Sequence, residues 1–177
     1  MRWDDRLAAL AADLQQQAEG LGFAERDLEV AEQARAEYAG VDLCGRLLGS
    51  LGRRLELSVT GVGRLEGVLS RVGDGWFLVV GAPGEWAVRL AAVGSVRGLA
   101  AGAVPAPARP VTARLGWGSA LRGLQELAHG VVLHRLEGTT VRGSAARVGA
   151  DFVEVVEESG TATVVPFTAL AAAGPAS

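Results

Sequence analysis

The sequence predicts an α+β protein: an N-terminal helical hairpin followed by two tandem five-stranded β-barrels. Three patterns carry this expectation. Apolar residues recur at helical spacing before residue 40, alternation of period two begins after Gly52, and a second β-rich stretch matches the first at a constant offset of 76 residues. A chain of 177 residues, 49% hydrophobic, is long enough to bury a substantial core, and its 25 glycines lack a triplet period, so they read as turns and bends.

Trp3, Leu7, Leu10 and Leu14 follow spacings of four and three and mark one face of a first helix, which Gly20 and Gly22 interrupt. A second helix resumes after Phe23, with Leu28, Ala31, Ala34 and Tyr38 on one side and Arg35 at its edge. Residues 1–40 therefore form the expected helical segment. Residues 41–98 are expected to be the first barrel with its leading helix, which carries Leu43, Leu47, Leu48 and Leu51. Its strands begin with the alternation Leu55, Leu57, Val59 and the hairpin-like TGVGR turn. They continue through Leu65–Leu69, Trp76–Val80, the neighbourhood of Trp86 and Val88, and that of Val96. Residues 99–118 read as a Pro/Ala-rich linker, residues 119–172 as a second helix-led barrel, and residues 173–177 as a tail. Ser119 is placed to cap the helix leading the second barrel.

The internal match pairs Leu65 with Val141, Gly67 with Gly143, Arg71-Val72-Gly73 with Arg147-Val148-Gly149, and Trp76 with Phe152. After the next turn the offset becomes 77, pairing Val88, Leu90 and Val93 with Val165, Phe167 and Leu170. Five short strands laid flat would expose hydrogen-bonding edges, and closure into a barrel removes them.

Charge and residue inventory narrow the chemistry. The chain has no lysine, so it lacks a Schiff-base or phosphate-loop lysine. Its single cysteine, Cys44, excludes an intrachain disulfide and a Cys-rich zinc site. Acids exceed arginines ten to seven over residues 1–54 and balance them thereafter, so no region has the basic excess of a phosphate-tracking surface. His129 and His134 lack zincin spacing, and Cys44 sits among apolar residues with no flanking base. Asp74, Asp151, Glu154, Glu157 and Glu158 read as solvated loop and strand-end acids, and GVGRLEG lacks the full dinucleotide fingerprint. No catalytic residue, metal ligand or cofactor site is expected. MRWDDRLAAL has early acids in place of a secretion leader, and Leu99–Val111, with three prolines and Arg109, is too short to span a bilayer. A cytoplasmic location without membrane association is expected.

The segments LLGSLGRRLELSV, GRLEGVLSRVGDGWFLVV and WAVRLAAVGSV, and their counterparts after residue 119, resemble the Sm-like (LSm) family of SH3-like barrels. The resemblance implies ring assembly and RNA binding. The family's pocket Asp and Asn positions fall on Gly73 and Phe77, and on Gly149 and Val153 in the second copy. Its Arg-Gly pair is absent from Val88-Arg89-Leu90 and Val164-Val165-Pro166, while Arg97-Gly98 lies one strand later. The whole chain also resembles small actinobacterial proteins described as regulators, without a helix-turn-helix pattern.

The function expected is a non-catalytic scaffold or regulatory protein-interaction module, with no small-molecule substrate. Trp3, Leu7, Leu10 and Leu14 are its candidate partner-binding or self-association residues, through the N-terminal helices. The alternative is an Sm-like RNA or DNA binder acting in gene regulation, with Arg46, Arg53 and Arg54 as candidate contacts. Trp76 and Phe152 are expected to pack in the barrel cores in preference to serving as base-stacking platforms.

Overall fold

The computed structural model describes residues 32–82, 84–127 and 130–176, in two units, Met1–Val41 and Asp42–Ser177. In the first unit residues 32–39 are helical and exposed, and the rest of the expected hairpin lies outside the described residues. The second unit is one α+β body with helices α1 (Leu43–Leu48) and α2 (Trp117–Leu127). Its strands are β1 (Arg54–Val59), β2 (Gly63–Gly73), β3 (Trp76–Val80), β4 (Glu85–Arg89), β5 (Val93–Arg97), β6 (Val131–Arg135), β7 (Thr140–Val148), β8 (Phe152–Val156), β9 (Ala162–Pro166) and β10 (Leu170–Pro175).

All ten strands belong to one antiparallel sheet in the order β5-β1-β2-β3-β4-β10-β6-β7-β8-β9. This corrects the expectation of two closed barrels, and with it the Sm-like and SH3-like resemblance and the reading of an internally repeated barrel. The open backbone edge at the end of the first five strands is not satisfied by closure on itself. Instead β4 pairs antiparallel with β10, Val88 opposite Ala172 and Ala87 opposite Ala173, and the sheet continues into the second set. One inter-strand ladder covers two edges at once, which removes the reason for each set to close.

The strands form where apolar residues alternate. In β1, Leu55, Leu57 and Val59 are buried and their neighbours exposed. β2 pairs with β1 through its first half and with β3 through its second, with a register irregularity between Leu69 and Arg71. Gly67 lies where it turns from one partner to the other. A Cβ there would stand 2.5 Å from the Val80 carbonyl oxygen, so only glycine admits that approach.

The apolar side chains form two clusters, and each crosses the β4–β10 junction. The first joins Leu47, Leu55, Leu69, Phe77 and Val88 to Ala171 and Ala172 of β10. The second joins Leu121, Leu133, Val153 and Leu170 to Trp76 and Ala87 from the first five strands. Helix α2 begins at Trp117, so Ser119 lies within it and not at its cap.

The segment following β5 is pinned to α1. Arg46 Nη2 donates to the Ala100 carbonyl at 2.7 Å, and the Ala100 N–H donates to Ser50 Oγ at 2.9 Å. The Val104 N–H reaches the Gly45 carbonyl, and Arg109 pairs with Asp42. Asp42 also caps α1 by accepting from the Gly45 N–H. That bond first, and Arg109 second, hold its carboxyl below the usual value.

Candidate interaction site

The two outermost strands, β9 and β5, have no partner on their outer sides among the described residues. β9 follows a turn in which the Gly160 N–H donates to the Glu157 carbonyl and Thr163 Oγ1 donates to Glu157 Oε1 at 2.6 Å. Its inner side runs against β8, with Glu154 opposite Val164 and Val153 opposite Val165. Alternation sends Val165 into the second core and leaves Val164 57% exposed. Ala162–Val165 carries no charge, and proline enters only at Pro166. At the opposite end β5 runs against β1, with Leu57 opposite Val96 and Ser58 opposite Ser95. Val93 and Val96 pack on the first core, and charge appears only at its last residue, Arg97. Most exposed edge strands are blunted by central charges or bulges. Neither of these carries a charge at its centre; β9 is regular against β8, while β5 has one register irregularity against β1, at Gly94 between Val93 and Ser95.

The polar face of β5-β1-β2 holds a depression of about 650 Å³ walled by Arg54, Glu56, Ser58, Arg64, Glu66 and Arg97. Its charges are matched across strands: Arg54 Nε meets Glu66 Oε1 at 2.6 Å, and Arg97 Nη1 lies 3.7 Å from Glu56 Oε2. Exposed pairs of this kind contribute little stability, yet they offset the positive field that a polyanion would need.

The residues singled out from sequence are dispersed. Trp3, Leu7, Leu10, Leu14 and His129 lie outside the described residues. Arg46, Arg53 and Arg54 serve three separate contacts: Arg46 holds Ala100, Arg53 Nε donates to the Gly98 carbonyl at 3.0 Å, and Arg54 pairs with Glu66. Cys44 packs against the first core, and burial pushes its thiol above the usual value. His134 sits edge-on to Trp86 with ring centroids 5.1 Å apart, and burial first and Arg142 second lower its pKa. Among the described residues no three His, Cys, Asp or Glu side chains gather as metal ligands.

Trp76 is buried in the second core and donates from Nε1 to the Leu115 carbonyl at 2.6 Å, whereas Phe152 is half-buried. Sequence reasoning allowed for strand edges presented to a partner but did not identify β9 and β5 as the outermost strands. The uncharged run ATVV was the visible signal, but it matters only once β9 is known to be outermost.

Among the described residues no helix is long and apolar enough to cross a membrane. No protein-family model, curated protein or solved structure matches the chain.

Proposed function

We propose that the chain is a non-catalytic scaffold or regulatory module that binds protein through the open edges of its sheet. The observation that carries this reading is β9, an outermost strand with no partner on its outer side among the described residues, an uncharged centre and Val164 projecting into solvent. Such a strand offers backbone hydrogen bonds for affinity and alternate side chains for selectivity, the means by which sheet edges accept a further strand. Binding to RNA or DNA is the weaker reading, since Arg54 and Arg97 on the polar face are matched by Glu66 and Glu56.

Amine-directed cross-linking suits this chain poorly because it lacks lysine. A photoreactive amino acid in place of exposed Ala162 reports directly on what meets β9. Edge-dependent cross-links to polypeptide that disappear on Val164→Lys are expected. Filter binding of single-stranded RNA and duplex DNA over a salt series supplies the contrast. Steeply salt-dependent retention abolished by Arg53→Ala with Arg54→Ala, with no polypeptide cross-linked, would overturn the protein-binding reading.

A further inference from the structure

The β4–β10 junction shows how one end of this sheet accepts another. From it we infer that the protein associates head to tail, the β9 edge of one copy pairing with the β5 edge of the next. The inference rests on the interaction-module reading and names the partner as a second copy of this chain.

The argument is one of register. At the internal junction the third and fourth residues of β4, Ala87 and Val88, face the fourth and third residues of β10, Ala173 and Ala172. β4 lies against β3 with Leu78 opposite Ala87, and β9 lies against β8 with Glu154 opposite Val164, so Val164 is again the third residue of its strand. β10 lies against β6 with Leu133 opposite Ala173, and β5 lies against β1 with Leu57 opposite Val96, the fourth residue of β5. The same antiparallel register across two copies places Val164 opposite Val96 and Val165 opposite Ser95.

Solvent exposure agrees with this pairing. Ala87, Val88, Ala172 and Ala173 are all fully buried at the internal junction, while of the two corresponding β9 positions Val164 is exposed and Val165 buried. No charge lies at any of the four positions brought together. One clamp is missing. At the internal junction Arg89, the fifth residue of β4, donates to the Phe167 carbonyl just before β10, but the fifth residue of β9 is Pro166, which has no such donor. Association between copies is therefore weaker than the internal junction and depends on concentration. Because the two edges differ, each added copy leaves one edge of each kind free, so growth stops only where the geometry closes on itself.

The test is light scattering coupled to size exclusion on the full chain over a concentration series. The wild type is expected above the 18.2 kDa monomer, with mass rising with concentration. Val164→Lys and Val96→Lys are each expected to remain monomeric, with unchanged circular dichroism. Mixed in equal amounts they retain one good β9 and one good β5 edge, and are expected to form a heterodimer that grows no further. If Val96→Lys loses its fold, Ser95→Lys, at an exposed position, takes its place. A wild type that stays monomeric throughout, an assembly indifferent to Val164→Lys, or a mixture that does not dimerise would each overturn the inference. Should the wild type be monomeric while the probe at Ala162 still captures another protein through β9, self-pairing fails and the interaction-module reading stands.

Discussion

Trp76 and Phe152 occupy the first position of β3 and β8, yet their surroundings differ. Trp76 lies in the core with its indole N–H satisfied by Leu115, so Trp76→Ala is expected to cost about 3–5 kcal/mol in urea unfolding. Phe152, half-exposed, is expected to cost roughly 1–2 kcal/mol on the same substitution, because less apolar surface returns to water. Equal losses would contradict the burial described here. Ser50 is fully buried, donating from Oγ to the Arg46 carbonyl while accepting from the Ala100 N–H. Ser50→Ala strands both groups and is expected to cost about 1–3 kcal/mol, with faster amide exchange at Ala100 as its local signature.

Among the elements, β6 and the β1–β2 turn meet at His134. Its imidazole lies edge-on to Trp86 on β4 and feels the Gly61 backbone of the β1–β2 turn, so its surroundings come from three parts of the sheet. Burial and the nearby Arg142 lower its pKa below 6.5, and the Gly61 backbone opposes them only in part. The unfolded chain therefore binds the proton more tightly than the folded one. The contribution of neutral His134 is complete above the unfolded pKa, falls as pH drops below about 6.5, and levels off beneath the folded pKa. Thermal midpoints measured from pH 8 to 5 are expected to decline through that window in the wild type. His134→Gln is expected to remove part of the decline, and an identical profile would exclude this residue as its source.

For the second unit as a whole, the shared clusters are the decisive feature. Ala171 and Ala172 complete the first core, and Trp76 and Ala87 complete the second, so each set of five strands has its core closed by two residues of the other. One cooperative transition is expected for β1 through β10. Ala172→Asp would place an unpaired charge at the centre of the junction and is expected to lower the unfolding midpoint reported by Trp76 and by Trp117 together. If only one of the two fluorescence signals moves, the halves melt independently and the junction is weaker than its geometry indicates.

The α+β class, the alternation of Leu55, Leu57 and Val59, and the strand Trp76–Val80 were legible from residue order alone, because period and side-chain polarity are local properties of the chain. What β4 pairs with was not. An edge is defined by backbone N–H and C=O groups that every residue supplies, so β4 and β9 read alike while one is central and the other outermost. The small side chains Ala87, Ala172 and Ala173 permit the two sets of strands to join, but alanines so common in this sequence announce nothing until a neighbouring strand lies against them. Residue order thus determined where strands form and which faces they bury. Only the tertiary structure decided that they make one open sheet, and so which two edges lack an outer partner among the described residues, because backbone hydrogen bonding between distant strands leaves no periodic trace in the side chains.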